Sequence, residues 1–377
     1  MTDDVADRAA VDAELRLLLH GEFEVLGELG GSSRSQVHRV RVGDATVIVK
    51  RFTGDDGGFA REAAALSVMP PDAPTPRLLG ESTQPPAVVL SDAGTGGSVA
   101  DDLLGADPVA ARAGLLSWAQ AVARLHDSTA GHGDAFRAAL AARTDQPVAT
   151  LAAEIAQAVT ELEGHCAQLG VRVPAGAWDD LRGLHARLHG GPAALSPGDA
   201  CPDNNVATRD GRILIDFEGA GWQHPAWDVA YLTVPWPSCW CSWRLPDDAS
   251  EQALRQYQET ATLPWADSAG FRGDVEAATV VWAIMTTAWY LPRALADDPP
   301  SVDPRRLMPT RRSQILNRLR LGASRHPRDG PEPAALGAFA ARLRDTLASR
   351  WGEQPLPYAP AFATQAQPTS PPFTGVQ

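Results

Sequence analysis

The chain has 377 residues, of which 44% are hydrophobic, and it carries a net charge of −13 at pH 7. A chain of this length exceeds what one hydrophobic core usually organises, so we expect two lobes. The acidic balance argues against a nucleic-acid or anionic-membrane binder, since both partners reward surplus positive charge. The four cysteines do not make the disulfide framework of a small secreted domain, so we expect a cytoplasmic protein with reduced thiols.

The N-terminal residues, MTDDVADRAAVDAEL, lack the charged segment and apolar core of a secretory signal. We expect instead a helical extension over about the first 20 residues. The apolar stretch AATVVWAIMTTAWYLP (277–292) is shorter than a membrane span and ends beside a proline, so we interpret it as a buried helix.

Short β-branched runs broken by glycine dominate residues 23–92. Between the third and the last of these runs, FAREAAALSVM (59–69) is rich in alanine and leucine and ends at a proline-rich segment, which predicts one inserted helix. We therefore expect a β-β-β-α-β arrangement in an N-terminal lobe that spans residues 1–94. The predicted strands are FEVLGELGG (23–31), QVHRVRVG (36–43), ATVIVKRF (45–52) and AVVLSD (87–92).

Helical periodicity replaces the strand pattern after the connector DAGTGGS (92–98). The exception is NNVATRDGRILIDFEG (204–219), where two apolar runs flank Asp210-Gly211, a dipeptide that favours a tight hairpin turn. We expect a mainly helical C-terminal lobe over residues 95–350, then a proline-rich tail, 351–377, that is extended or disordered. The predicted helices include 98–104, 108–127 and 149–169.

Polar residues with a chemical role flank this hairpin. Asp199 precedes Asn204 by five positions, and Asp216 ends the apolar run that follows the turn. Phosphoryl transfer needs a carboxylate that orients or deprotonates the acceptor, and oxygen ligands that hold Mg²⁺. Two aspartates and an amide supply those parts. Each loop taken alone fits ordinary turn formation equally well, and only their combination favours the catalytic interpretation.

The segments GDACPDNNV and LIDFEGAGWQHPAWDVAYL resemble the catalytic and metal-binding region of the aminoglycoside phosphotransferase-like family, which has a protein-kinase-like fold. The resemblance extends over residues 23–350 and implies a bilobal α+β fold with ATP and Mg²⁺ as cofactors. It implies transfer of the γ-phosphoryl to a hydroxyl of an aminoglycoside, another antibiotic or an amino alcohol. By position, Asp199 matches the catalytic aspartate, Asn204 and Asp216 the magnesium ligands, and Asp228 an aspartate that holds the catalytic loop.

Lys50, in VIVK (47–50), is the only lysine of the chain, since 32 of the 33 basic residues are arginine. In kinase-like folds a lysine on the third strand pairs with nucleotide phosphates and with a glutamate of the inserted helix, and Glu62 is the matching glutamate. Arginine is a poor replacement because its broad planar group does not fit the compact position of an ammonium. A strand-end lysine that extends into solvent is the alternative.

The segment ELGGSSRSQVHRV (28–40) fits a loop that folds over phosphates, since Gly30 and Gly31, followed by Ser32, let the backbone approach an anion closely. An ordinary hairpin turn fits the same residues. The chain has neither a GxGxxG nor a Walker sequence. The resemblance further implies that AVVLSDAG (87–94), which includes Ser91, presents backbone groups to the adenine.

One departure from the family concerns the catalytic loop, where the usual His-Gly-Asp is replaced by Pro197-Gly198-Asp199. Proline removes the ring hydrogen bonds of the histidine and a backbone donor. A pseudokinase that binds nucleotide without turnover is therefore an alternative, and a GTP-dependent phosphotransferase is another. All groups that would touch phosphate and metal are present, so we expect an active enzyme.

Three further features have two readings each. Cys239 and Cys241 lack the second cluster of a zinc site, so we expect packing. The tryptophans of VPWPSCWCSW (234–243) line a substrate pocket or, more often, fill a core. Eight arginines and no acid lie between Arg305 and Arg328. We expect them to pair with acids elsewhere on the surface, or else to meet a phosphate-bearing acceptor or an acidic partner.

Overall fold

The structure is a computed structural model that describes Leu19 and residues 21–32, 34–54, 57–147, 150–234, 242–298, 307–327 and 329–366. The helical extension predicted for the N-terminus lies outside these residues. So do Trp236, Trp240, Cys239 and Cys241. Trp243 is half-buried against the main hydrophobic core, as the packing interpretation predicts.

Five antiparallel strands form one sheet in the order β1-β2-β3-β5-β4. Helix α1 (Gly58–Ser67) is inserted after the third strand and contacts β4 and β5 with its buried alanines. The helix follows the C-terminal end of β3, where Phe52 packs edge-on against Phe59 with ring centroids 5.9 Å apart, so a side chain near the end of β3 can meet one on the helix. The strands are β1 Phe23–Ser32, β2 Ser35–Val42, β3 Ala45–Phe52, β4 Leu78–Thr83 and β5 Pro86–Ser91.

The structure contains a strand, β4, that the sequence did not predict. The observed order is β-β-β-α-β-β, whereas the predicted order was β-β-β-α-β. The sequence of β4, LLGEST, has only two apolar residues and alternates half-buried with exposed positions. The strand lies at the edge of the sheet and pairs only with β5, so it needs no β-branched run on its outer side. The local pattern is therefore too weak to predict a strand.

Most of the remaining described chain is helical, and the α+β class is confirmed. Helix α9 contains the apolar stretch 277–292 and is buried over most of its length, as predicted. No described helix combines the length and the apolar character that a membrane crossing requires. The helices are α2 Val99–Leu104, α3 Pro108–Thr129, α4 Gly133–Ala141, α5 Leu151–Leu169, α6 Ala177–His189, α7 Ala226–Val229, α8 Asp247–Thr260, α9 Ala269–Ala296, α10 Arg311–Ser324 and α11 Ala334–Trp351, with 3₁₀ helices at Ala230–Leu232 and Pro360–Ala366.

Two short ladders interrupt the helices. Strands β7 (Asn205–Thr208) and β8 (Gly211–Leu214) pair as the hairpin predicted at Asp210-Gly211, and Gly211 has a φ of +123°. Strands β6 (Ala194–Ser196) and β9 (Gly221–Gln223) pair around them. The loop that carries Asp199 leaves β6, and the loop that carries Asp216 leaves β8, so the two ladders hold both loops side by side.

The connector between the sheet and the helices runs directly over β7. The N–H of Ala207 donates to the carbonyl of Gly97 at 3.0 Å. A Cβ at Gly96 would lie 1.9 Å from the carbonyl oxygen of Ala207, so only glycine permits this approach. The buried guanidinium of Arg212 joins the same region, because it donates to Gly97, to Asn205 and to Ser117 on α3.

Helix α10 contains part of the arginine-rich segment 305–328. Its arginines contact different kinds of groups, a carboxylate in one case and an aromatic ring in another. Arg311 lies 3.6 Å from a carboxylate oxygen of Asp298, but the side chain of Asp298 is fully buried, so this is not the surface ion pair that we expect from the sequence. The buried guanidinium of Arg318 stacks 4.8 Å from the ring centroid of Tyr290. Arg305, Arg306 and Arg328 lie outside the described residues.

Part of the C-terminal tail is packed, contrary to the prediction of an extended or disordered segment. Tyr358 forms a bridge with Arg244, and the 3₁₀ helix Pro360–Ala366 contacts α2 and α3. Phe362 is fully buried there, with the guanidinium of Arg112 5.5 Å from its ring centroid. Buried apolar side chains, of which Phe362 is the largest, thus anchor a segment whose composition predicted disorder. Residues 367–377 lie outside the described part of the tail.

We expect Phe362→Ala to lower the free energy of unfolding by about 3 kcal/mol or more, because it empties a fully buried site. Urea unfolding followed by circular dichroism measures the change. Val109→Ala is the control, since Val109 is 74% exposed and the substitution should change stability by less than about 0.5 kcal/mol. Equal stabilities of the two variants would contradict the packed tail.

Candidate active site

The two loops that leave β6 and β8 touch through their backbones. Gly198 has a φ of +80°, and a Cβ at this position would lie 2.0 Å from the carbonyl oxygen of Gly219. A Cβ on Gly219 would in turn approach the carbonyl oxygen of Pro197 to 3.1 Å. Glycine is therefore required where the loop of Asp199 crosses the loop of Asp216.

Lys50 is the centre of a cluster that joins three elements. Its Nζ lies 2.6 Å from Oε2 of Glu62 on α1 and 2.6 Å from Oδ1 of Asp216. A third carboxylate, that of Glu218, lies 3.1 Å from the same nitrogen. The side chains of Lys50 and Glu62 are only 7% and 1% exposed, whereas Asp216 is 36% exposed. The sheet, the inserted helix and the loop after β8 meet at this nitrogen.

The charges of this cluster do not balance. Burial by itself lowers the pKa of Lys50, but Glu62, Asp216 and Glu218 together raise that pKa well above its ordinary value. Burial raises the pKa of Glu62 to about 7, because the attraction of Lys50 only partly offsets it and Asp216 adds repulsion. Three carboxylates share the ammonium of Lys50, and although Arg34 lies 2.5 Å from Glu218, two cations against three acids leave an excess of negative charge.

Asp216 and Asn204 present oxygen atoms beside this cluster. Asp216 has a φ of +67°, a left-handed conformation that is uncommon outside glycine and is characteristic of functional loops. The amide nitrogen of Asn204 donates to the backbone carbonyl of Asp199 at 2.9 Å. That bond leaves the amide oxygen of Asn204 as its ligand atom. The carbonyl of Asn204 accepts from the N–H of Ile215, which fixes the two loops relative to each other.

A cleft of about 410 Å³ separates the sheet from the helical part. Five residues predicted for the site line it: Lys50, Glu62, Ser91, Asn204 and Asp216. Gly30, Gly31 and Ser32 form the end of β1, where Gly31 and Ser32 pair with β2. This hairpin tip lies between Leu29 and Arg34, which both line the cleft.

Asp199 lies beside this cleft and is not among its lining residues. The hydroxyl of Tyr231 donates to Oδ1 of Asp199 at 3.4 Å. Asn204, which does line the cleft, binds the backbone of Asp199 as described above. Asp199 is thus joined to the predicted metal ligand Asn204 through its backbone carbonyl, while its carboxylate accepts from Tyr231.

A buried chain of hydrogen bonds holds the loop of Asp199. Ser196 Oγ donates to Oδ1 of Asp228 at 2.7 Å and accepts from the N–H of Gly198 at 2.9 Å. The other oxygen of Asp228 lies 2.9 Å from Nε2 of His126. All of these side chains are at most 2% exposed. Ser196 therefore connects the aspartate predicted to hold the loop with the residue that precedes Asp199.

Sequence reasoning missed several residues of this site. Glu218 was visible in the motif LIDFEG, but nothing in the motif indicates that it reaches Lys50. Arg34, which lies 2.5 Å from Oε1 of Glu218, connects β1-β2 with the loop after β8. At the other end of the cleft, Arg39 lies 2.9 and 2.7 Å from the two carboxylate oxygens of Asp92. These pairings depend on the folded arrangement and have no local signal.

The sheet with one inserted helix, the connector and the paired loops define a protein-kinase-like fold, and solved structures support it. A choline/ethanolamine kinase family protein from Mesorhizobium loti is 21% identical, with a TM-score of 0.50 over 88% of this chain and 98% of that chain. An ethanolamine kinase from Plasmodium vivax is 12% identical, with a TM-score of 0.51 over 72% and 76%.

The chain belongs to the phosphotransferase enzyme family (APH), whose model matches residues 27–267, more than half of its length. Membership confirms the resemblance drawn from the motifs and the predicted enzyme class, a small-molecule kinase. A comparison with curated proteins finds no significant match.

We expect Gly198→Ala to destabilise the protein more than Gly352→Ala does. Both glycines have a φ of +80°, but an added Cβ meets nothing within 4 Å at Gly352 and clashes with Gly219 at Gly198. The control should cost about 1 kcal/mol for the backbone conformation, and Gly198→Ala about 2 kcal/mol more for the clash. Urea unfolding measures both, and equal losses would contradict the tight crossing of the two loops.

Proposed function

We propose that this protein is an ATP- and Mg²⁺-dependent kinase that transfers the γ-phosphoryl group to a hydroxyl of a small molecule. The observation that carries the proposal is the buried ammonium of Lys50, which lies 2.6 Å from both Glu62 and Asp216 at the edge of the cleft. A lysine fixed by a helical glutamate is suited to hold nucleotide phosphates, because its charge is positioned before the ligand binds.

The donor atoms of the site fit a magnesium ion. Carboxylate oxygens of Glu62, Asp216 and Glu218 lie within 4.8 Å of one another, and one ammonium does not neutralise them. Magnesium prefers oxygen ligands and keeps sites for phosphate and water. Asp216, the most exposed of the three, and the amide oxygen of Asn204 would hold the ion, while Glu62 stays with Lys50. A bound Mg²⁺ supplies neutralisation of the phosphate charge.

The acceptor hydroxyl is the part of the reaction that involves Asp199. Its carboxylate is suited to orient the acceptor hydroxyl and to accept its proton as the phosphoryl group leaves ATP. The hydroxyl of Tyr231 and the amide of Asn204 hold Asp199 from two sides. Catalysis in this proposal comes mainly from positioning and charge neutralisation, so rigid support of Asp199 matters more than a perturbed pKa.

Aromatic side chains near Asp199 favour an acceptor that carries an amine. The ring of Trp282 packs edge-on against Tyr231, with centroids 5.6 Å apart, and Trp289 packs against Trp282 at 6.2 Å. Tyr231 and Trp282 are buried, and Trp289, which is 37% exposed, is the ring of this group that reaches solvent. Aromatic faces attract ammonium groups, which supports an aminoglycoside, another amine-bearing antibiotic or an amino alcohol as acceptor.

The proposal includes a cytoplasmic location for the protein, as expected from the sequence.

The alternative is a pseudokinase, motivated by Pro197. The missing histidine would weaken the catalytic loop if nothing replaced its support. Ser196 offers that support, since it binds Asp228 and the N–H of Gly198 while fully buried. We therefore favour an active enzyme.

Use of GTP is the other alternative, and Asp92 argues against it. A carboxylate at the hinge could accept the two N–H donors of guanine. In this chain Oδ1 of Asp92 accepts from Arg39 and from the N–H of Gly94, and Oδ2 lies 2.7 Å from Arg39. These bonds occupy the carboxylate, so we favour ATP. Competition between the two nucleotides in a thermal-shift experiment tests this preference.

We expect Asp199→Asn to lower the turnover number by at least about 100-fold with little change in the KM for ATP, because it removes the base and leaves the cleft intact. ATP consumption is measured across hydroxyl-bearing and amine-bearing compounds, with products identified by mass spectrometry. Asp210→Asn, the same change in the exposed turn of the nearby hairpin, is the control. Turnover that survives Asp199→Asn would reject the mechanism, and nucleotide binding without any turnover would favour the pseudokinase.

We expect Lys50→Arg to lower kcat/KM by about 100-fold or more, although it preserves the charge. The planar guanidinium cannot occupy a buried position between three carboxylates that was shaped for an ammonium. Arg51→Lys, the reverse exchange at the next residue of β3, is the control and should retain activity, since Arg51 pairs with Gln36 away from the cluster. Full activity of Lys50→Arg would contradict the proposed role.

A further inference from the structure

A second cavity, of about 500 Å³, lies between α8, α9 and α10. Its lining shares no residue with the nucleotide cleft. The volume is in the range of small-molecule sites. Charged side chains of both signs line its wall: Arg244, Arg272, Arg320, Arg325, Asp247, Glu251, Glu276 and Asp329.

Two of the acidic side chains already have arginine partners. Asp329 accepts a hydrogen bond at 2.9 Å from Arg187, which is not part of the cavity wall. Glu251 lies 3.5 Å from Arg272, and Arg272 also donates to Gln258. These acids are therefore not available to balance the other arginines of the cavity.

The remaining arginines of the wall, Arg244, Arg320 and Arg325, have at most one distant carboxylate partner among the described residues. Neither Arg320 nor Arg325 has a carboxylate oxygen within 4.0 Å among the residues that the structure describes, and Arg320 donates instead to Asn317. Asp247, which is 92% exposed, only reaches a distance of 4.0 Å from Arg244. Partial burial together with Arg244 and Arg325 lowers the pKa of Arg320, as expected where cations crowd one another. The wall as a whole carries four arginines and four acids, but Arg320 and Arg325, with Arg244 nearby, form a cluster of positive charge on one part of it.

Glu276 gives the cavity a second chemical feature. Its Oε2 is shielded from solvent and has no hydrogen-bond partner within the described part of the chain. A buried carboxylate oxygen without a donor costs free energy, so a ligand that brings an N–H or O–H group would be favoured here.

We propose that this cavity binds a small organic molecule whose phosphate or carboxylate group is held by Arg244, Arg320 and Arg325 and whose hydrogen-bond donor faces Glu276. Guanidinium groups bind such anions through paired N–H donors. The assignment needs no turnover, and it holds whether or not the proposed kinase activity is correct.

The cavity reaches close to the candidate active site. Thr233 lines it, and Tyr231, two residues earlier, donates to Asp199. The anion therefore has two possible sources. It is a group of the acceptor itself, an interpretation that rests on the proposed function, or it belongs to a separate effector.

Inorganic phosphate is the first probe, titrated calorimetrically into the full chain at low salt with a non-hydrolysable ATP analogue filling the cleft. We expect Arg320→Ala/Arg325→Ala to raise the Kd for phosphate by about tenfold or more. Arg320→Gln/Arg325→Gln, which keeps more of the side chain, should do the same. Arg350→Ala, at an exposed position of α11 outside the cavity, should leave the Kd unchanged. Equal phosphate binding by all variants would overturn the proposal.

Matched acceptors distinguish the two sources. L-serine differs from ethanolamine by a carboxylate, and glycerol 3-phosphate differs from glycerol by a phosphate. If the acceptor supplies the anion, the charged member of a pair is phosphorylated preferentially and Arg320→Ala/Arg325→Ala abolishes the preference. If an effector supplies it, the substitutions weaken phosphate binding and leave acceptor preference unchanged. Either result supports the anion site, and absence of all phosphorylation would contradict only the proposed kinase activity.

Discussion

One ammonium among three carboxylates is the interaction on which the rest of this structure depends. Lys50 comes from the sheet, Glu62 from the inserted helix, and Asp216 and Glu218 from the loop after β8. Buried charges are costly unless they are paired with good geometry. The cluster therefore forms only when sheet, helix and hairpin have their native arrangement, and its surplus of negative charge favours a cation in the cleft.

Close backbone contacts supply that arrangement. The loop of Asp199 crosses the loop of Asp216 where Gly198 meets Gly219, and the connector crosses β7 where Gly96 meets Ala207. Neither crossing leaves room for a side chain. The first sets the distance between the candidate base and the candidate metal ligands, and the second holds the connector, which begins at the cleft, against the hairpin. The glycines at these two crossings, which have no side chain, therefore position the candidate site residues as much as the contacts between side chains do.

The sequence predicts those parts whose signal is local. The hairpin turn at Asp210-Gly211 has such a signal and is confirmed, and Asp199, Asn204 and Asp216 lie close to it along the chain, although their catalytic roles stay a prediction. Strand β4 was not predicted from the sequence because an edge strand needs few apolar residues. The packed tail was not predicted because a few scattered apolar residues, Phe362 the largest, anchor a proline-rich segment. The third carboxylate on Lys50 and the support of Ser196 depend on which loops meet in three dimensions, and no pattern along the chain encodes that.

The retention of one lysine in a chain of arginines follows from the number and direction of its partners. Elsewhere the chain uses arginine to bind two carboxylate oxygens at once. The guanidinium of Arg39 contacts both oxygens of Asp92, and that of Arg187 contacts Asp274 and Asp329. An ammonium has three donors that point in different directions and no plane. Three carboxylates converge on Lys50 from two elements, the inserted helix and the loop after β8, at 2.6, 2.6 and 3.1 Å. That geometry matches the ammonium and leaves no orientation in which a guanidinium could satisfy all three.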